Sequence, residues 1–187
     1  MAGERKQQIL ETLAKMLEAP KREKITTASL AAKLEVSEAA LYRHFANKAQ
    51  MFEGLIAFIE ETIFGLINKI SSEETDGLRQ IQRTISMLLA FAEKNPGMTR
   101  VLIGDALVNE DDKLQVRINQ LYDRIEVTLK QSLRIAETQS SSKGDAEAQA
   151  NLIFCYVIGR WQQFAKSGFK RKPTEFAQQQ LTSLINY

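Results

Sequence analysis

This chain has little of what most site chemistries require. It has one cysteine and one histidine, so no disulfide can close within it and no thiolate–imidazole metal set can form. The single Cys fits a reducing cytoplasm. Three prolines in 187 residues leave few forced breaks, and nine glycines add few more, which favours long helices. No apolar run approaches the ~18–20 residues of a membrane span, and the opening Met-Ala-Gly-Glu-Arg-Lys lacks the apolar core of a signal peptide. No HExxH, GxSxG, phosphate-binding loop or dinucleotide fingerprint is present, so an enzyme is not expected, nor is a metal or cofactor. Aromatics are 7% and the net charge is only +2.

What is present is helix. Hydrophobic residues make up 44% of the chain, enough for a sizeable core. Ile9, Leu13, Met16 and Leu17 predict an amphipathic first helix over residues 4–18, ended by Pro20. Thr26 or Thr27 caps a second helix carrying Leu30, Ala31 and Leu34. Ser37 caps a third with Leu41 and Phe45 inward. Asn47 caps a fourth running to about Ile70, with a buried stripe of Phe52, Leu55, Ile56, Ile59, Ile63, Leu66, Ile67 and Ile70. After a polar break at 71–76, a fifth helix turns Leu78, Ile81, Ile85, Leu88 and Ala92 to one face and stops at Asn95-Pro96-Gly97. A short segment over 98–108 leads to Glu110-Asp111-Asp112, an acidic start for the helix of Leu114, Ile118, Leu121, Tyr122, Ile125, Leu129 and Leu133. Residues 137–147, including Ser140-Ser141-Ser142 and Gly144, read as a loop. An eighth helix spans about 146–166, and a last one ends near Asn186. No strand pattern appears, so the expected fold is all-α, with an N-terminal reader over 1–48 and a helical body over 49–187.

The reader is inferred from residues 25–48, two short helical patterns joined by a tight turn with a cap opening each, which is how a helix-turn-helix reads in sequence. At 100° per residue, Leu41 and Phe45 share the core side of the third helix. Ala39, Ala40 and Arg43 face away, with Tyr42 and His44 on the flanks. Small side chains let a backbone approach base edges, and an arginine can donate to guanine through two parallel hydrogen bonds. Thr26, Thr27, Ser37, Tyr42, His44 and Lys48 are candidate phosphate contacts. Tyr42 packed on the first helix and His44 bonded to a neighbouring backbone remain open alternatives. Residues 1–50 carry a net +3 and the remainder −1, an asymmetry that a dimer would double against one duplex.

The eighth helix is apolar nearly all round, so it must pack on several sides, within its own chain and across a two-fold axis. Phe154, Tyr156, Trp161 and Phe164 are the expected interface residues, making a homodimer. Cys155 reads as a small core hydrophobe.

The 25–48 block and the long helical body closely resemble the TetR family of dimeric regulators, although Glu35 stands where that family usually has glycine at the turn. Blocks at 25–32, 36–45, 51–56, 91–100, 117–121 and 168–174 (Gly-Phe-Lys-Arg-Lys-Pro-Thr) resemble a narrower group within it, the nucleoid occlusion factors. That resemblance implies a cytoplasmic, nucleoid-associated dimer on palindromic double-stranded DNA. It also implies that the DNA-bound form contacts the C-terminal tail of FtsZ, the tubulin-like division GTPase, in a groove between the fourth and fifth helices. The positions carried over are Phe58, Met87, Ala90, Lys94 and Asn95; an arginine expected near the end of the fourth helix is Leu66 here. On the helical wheel Phe58 lies about 60° beyond the buried stripe, and Met87, Ala90 and Lys94 lie opposite the core of the fifth helix, beside Arg83. The wheel alone leaves open that these are ordinary surface residues. The alternative function is a ligand-responsive repressor of the TetR type, in which a small molecule releases DNA.

Overall fold

A computed structural model describes residues 2–19, 25–140 and 144–185, and every regular element among them is a helix. They are α1 (Ala2–Met16), α2 (Thr27–Lys33), α3 (Glu38–Tyr42), α4 (Lys48–Glu73), α5 (Gly77–Lys94), α6 (Pro96–Leu102), α7 (Asp112–Gln139), α8 (Ala146–Lys166) and α9 (Ala177–Ile185). The expected stop at Pro20, the serines at 141–142 and the expected end at Asn186 lie outside the described residues.

The chain divides into two compact units. One comprises Met1–Glu60 with Asn95–Ile118, the other Glu61–Lys94 with Asn119–Tyr187. The first unit is therefore more than the three-helix reader expected over 1–48: it adds the start of α4, all of α6 and the start of α7. Its core is Ile9, Leu13, Leu30, Leu41, Met51, Phe52, Leu55 and Ile56, with Val101 and Leu102 from α6. At ~1.5–3 kcal/mol for each fully buried large apolar side chain, ten such residues offset much of the ordering cost of short helices that would not persist alone. The α1–α6 packing is close enough that a Cβ on Gly97 would lie 1.9 Å from the Ala14 carbonyl oxygen.

In the second unit α8 packs on α5, and α9 packs on α5 as well. Trp161 is wholly buried and its indole Nε1 donates to the Leu88 carbonyl of α5 at 3.2 Å, so the ring is both core and fixed in register. Phe154 and Tyr122 stand edge-on to each other with centroids 5.1 Å apart, and each lies 6.3 Å from Trp161. Gly77 opens α5 against α7, where a Cβ would meet the Ala136 amide at 2.3 Å.

Two residues placed on buried stripes face outward instead. Leu66 on α4 and Leu78 on α5 are 39% and 40% exposed. Gln80 and Thr84 replace Leu78 inside; the Gln80 carboxamide oxygen accepts from Ser132 Oγ at 2.9 Å and its nitrogen donates to the Glu74 carbonyl at 2.6 Å. A satisfied amide can occupy a position that apolar periodicity would assign to leucine. Helix α4 also runs past Ile70 to Glu73, where Lys69 and Glu73 pair one turn apart at 3.8 Å. The fifth helix ends at Lys94 as expected, but the break is one residue long, since Pro96 opens α6 at once.

Candidate nucleic-acid interface and partner surfaces

The reader begins with a reciprocal cap. The Thr26 hydroxyl accepts the Ser29 amide at 3.1 Å, and the Thr26 amide donates to Ser29 Oγ at 3.0 Å. Helix α2 then ends in two bonds closed back on itself, Glu35 N–H to the Ala32 carbonyl at 3.1 Å and Val36 N–H to the Ala31 carbonyl at 3.0 Å. That closure requires a left-handed residue, and Glu35 takes it at φ 56°. The turn therefore keeps its glycine-type geometry with a glutamate in place. Ser37 caps α3, its hydroxyl accepting the Ala40 amide at 3.3 Å.

On α3, Leu41 and Phe45 go inward, at 1% and 8% exposure. Ala39 and Arg43 are exposed, Tyr42 is 46% exposed, and Ala40 and His44 are half-buried. The Arg43 side chain has no hydrogen-bond or ion-pair partner among the described residues, leaving its five guanidinium donors to solvent or a ligand. The His44 amide donates to the Leu41 carbonyl. The Tyr42 hydroxyl points to α2, reaching Thr27 Oγ1 at 3.4 Å, and Thr27 donates in turn to Glu38 Oε2 at 2.6 Å. Glu38 was missed in the sequence. It ties the start of α2 to the start of α3, and an acid in the first turn after a serine cap is the signal that could have marked it.

Lys48, expected among the phosphate contacts, is held within its own chain. Its ammonium is 2.5 Å from Glu110 Oε1 and 5.6 Å from the Phe52 ring centroid, and its side chain is only 21% exposed. The Glu110 carboxylate therefore stands beside any phosphate that Lys48 would meet. The pair borders a cavity of about 260 Å³ whose lining includes Phe52, Arg100 and Asp105.

In the second unit a groove of about 470 Å³ runs between α4 and α5. Leu66, Lys69, Ile70 and Glu73 line one side; Gln82, Arg83, Ser86 and Met87 line the other. Glu73 bridges its cations, 3.0 Å from Arg83 and 3.8 Å from Lys69. Ala90 and Lys94 continue the Met87 face of α5 toward its C-terminus, half-buried and exposed respectively. Phe58, 39% exposed, and the half-buried Asn95 belong to the other unit.

The expected dimer contacts require correction. Phe154, Trp161 and Phe164 are 2%, 0% and 3% exposed within their own chain, so they offer no surface to a second one. Tyr156 is half-buried and donates to Gln180 of α9 at 2.8 Å; burial raises its hydroxyl pKa and Arg160 opposes that. The outward stripe of α8 is Leu152, Cys155 and Gly159, with Leu152 55% exposed and no atom within 4 Å of where a Gly159 Cβ would stand. Cys155 is thus exposed, not a core residue. On α7, Val127 is 53% exposed.

Among the described residues no group of three or more His, Cys, Asp or Glu side chains is placed to hold a metal ion, and no helix is long and apolar enough to cross a membrane.

Two family models match the chain. Residues 9–55 match the bacterial regulatory proteins of the tetR family, and residues 75–187 match the SlmA-like form of the tetracyclin repressor-like C-terminal domain. Among relatives, the chain is 54% identical to the nucleoid occlusion factor SlmA of Alteromonas mediterranea, covering 91% of this chain and 89% of that one. It is 50% identical to SlmA of Shewanella pealeana, covering 95% and 94%. Solved structures with the same fold include a TetR transcription regulator from Haloarcula marismortui (TM-score 0.84, 16% identity, 98% and 97% covered) and PfmR from Thermus thermophilus (0.79, 21%, 95% and 97%).

Proposed function

Since the chain belongs to the SlmA family of nucleoid occlusion factors, with a tetR-type reader and an SlmA-like C-terminal domain, we propose that it works as a nucleoid-associated, cytoplasmic homodimer on palindromic DNA and, once bound there, takes the C-terminal tail of FtsZ and antagonises FtsZ polymers. The observation that carries DNA binding is the outward face of α3: Ala39, Ala40 and an uncommitted Arg43 on a helix whose start is pinned by Ser37. Arg43 donates to a guanine edge, while Thr27, Ser37, Tyr42 and His44 hold phosphates. Thr26 supports them by capping α2. Two such readers address half-sites ~34–36 Å apart, one helical turn. The second copy meets this one along the Leu152–Cys155–Gly159 stripe of α8, where Cys155 and Gly159 leave room for a helix and Leu152 supplies apolar area to bury.

The tail lies in the α4–α5 groove. Leu66, Ile70 and Met87 supply an apolar floor for a peptide, and a peptide is what an open groove between two helices admits. Leu66 in place of an arginine makes that floor more apolar and less basic. Lys94 and Ala90 extend the surface; Phe58 and Asn95 are tail contacts on the strength of the resemblance alone. Coupling is positive: DNA and tail favour the same state, whereas in a ligand-responsive repressor the effector and DNA oppose each other.

The test is fluorescence anisotropy of a labelled FtsZ tail peptide, with and without a palindromic duplex already shown to bind the protein. Binding that persists or strengthens on DNA, and is lost in Met87→Asp while DNA affinity holds, supports the reading. Absence of tail binding in both states would return the chain to the repressor class.

A further inference from the structure

The segment that joins α8 to α9 is basic, and its backbone is held rigidly. Helix α8 closes with Gly168 and Phe169 at φ 65° and 66°, the Phe169 amide donating to the Phe164 carbonyl at 2.9 Å. Ser167 Oγ accepts the amides of Lys170 and Arg171 at 3.1 and 2.9 Å. Arg160 then reaches across and donates to three carbonyls, those of Lys172 (2.7 Å), Pro173 (3.2 Å) and Glu175 (2.7 Å). The Phe169 ring stands 5.1 Å from Phe164. A charge run that only needs to be solvated has no use for this number of backbone restraints.

The segment also has a fixed neighbour. Glu93, in the last turn of α5, accepts from Thr174 Oγ1 at 2.5 Å and sits 3.7 Å from Lys172. The next residue on α5 is the exposed Lys94. The loop therefore lies beside the C-terminal end of the helix that forms one wall of the groove, and both belong to the same compact unit. Lys94, Lys170 and Arg171 are exposed, and their side chains make no hydrogen bond or ion pair among the described residues. The groove's own cations are in the opposite condition, with Lys69 and Arg83 both occupied by Glu73. An acidic peptide seated in the groove finds its positive charge beyond the groove, at the far end of α5.

We propose that Lys170 and Arg171, with Lys94, form a second contact for the acidic residues of a peptide whose apolar part occupies the α4–α5 groove. The inference rests on the groove reading above. The occupant is a peptide, not nucleic acid, because the loop is tied to the groove helix by Glu93 and Thr174, and because two carboxylates, Glu93 and Glu175, border it where a phosphate backbone would pass. Preorganised donors lose less freedom on binding, which is what the Arg160 and Ser167 restraints provide.

The experiment measures the labelled FtsZ tail peptide against DNA-bound full-length protein at two salt concentrations. The proteins are the wild type, Lys170→Glu with Arg171→Glu, Met87→Asp, and Arg134→Glu as a control for net charge on another exposed cation. The paired reversal is expected to weaken the peptide about tenfold near 0.1 M salt, as two exposed charge contacts do. It should flatten the salt dependence and leave the DNA affinity and thermal midpoint unchanged. A peptide with its carboxylates made amides should bind the wild type more weakly and the reversal variant no more weakly than the acidic peptide does, because the introduced glutamates no longer repel it. If the reversal variant binds the tail as the wild type does while Met87→Asp does not, this inference fails and the groove stands. Should the reversal weaken DNA instead of the tail, the loop is a nucleic-acid contact and the inference fails. Wild-type protein that binds no tail removes both.

Discussion

Arg43→Ala should separate base reading from mere attachment to DNA. The side chain is exposed, sits at the C-terminal end of a five-residue helix, and has no partner among the described residues. Removing it therefore leaves nothing unsatisfied, and an exposed substitution of this kind costs the fold under ~0.5 kcal/mol. What is lost is contact with DNA. One two-pronged arginine–guanine contact is worth ~1–3 kcal/mol, and a two-fold site holds two of them, so the dimer should lose ~2–6 kcal/mol, or roughly 30-fold to 10⁴-fold in affinity. The two roles of an arginine differ in salt response. A base contact leaves the slope of log K against log salt nearly unchanged, whereas a phosphate contact reduces it by ~0.9 for each subunit. The assay is anisotropy of a labelled palindrome, and of versions with one guanine pair replaced, titrated across salt. Wild-type affinity together with wild-type base preference would refute the assignment. A changed slope with preference intact would move Arg43 to the backbone.

Three further outcomes test the fold that carries these surfaces. Glu35→Gly relieves a left-handed strain of ~1–2 kcal/mol and gives back ~0.5–1 in chain entropy, so the calorimetric midpoint should rise by a few degrees; a fall would mean the Glu35 side chain has a stabilising role. Gly97→Ala places a methyl 1.9 Å from a carbonyl oxygen of α1, and α6 cannot retreat without opening the core. A loss of ~3 kcal/mol in denaturant unfolding is expected, and wild-type stability would mean α1 and α6 are not packed so closely. Lys48→Gln should weaken stability through Glu110, left half-buried without its cation, yet leave the salt slope of DNA binding unaltered. A slope reduced by about one for each subunit would restore Lys48 to the phosphate contacts.

The helices and the reader were legible in the sequence because their signals are local. Caps at Thr26 and Ser37, a stripe every third or fourth residue, and an acidic start at Asp112 all act within a few residues of themselves. What was not legible depends on partners far along the chain. Lys48 reads as a basic residue at the edge of a DNA motif until Glu110, 62 residues away, takes it. Leu66 and Leu78 fit apolar stripes whose true edges are set by which neighbour arrives, and Gln80 claims an inner place only because Ser132 completes its hydrogen bonds.

Helix α8 shows why an all-apolar helix is ambiguous in a particular way. Its composition requires burial on more than one side, but every side qualifies, so the large aromatics were assigned to the interface. The structure distributes them by volume. Phe154 and Trp161 pack on Tyr122 of α7, Trp161 also finds the Leu88 carbonyl of α5 for its N–H, and Phe164 packs on Phe169. A buried indole donor needs an acceptor, and within this chain one is present. That requirement selects the inner face. Leu152, Cys155 and Gly159 are left outward, and this is the stripe proposed above for the second copy. That most of α8 is buried was readable in its composition; which face stays outward follows only from where Trp161 finds its acceptor.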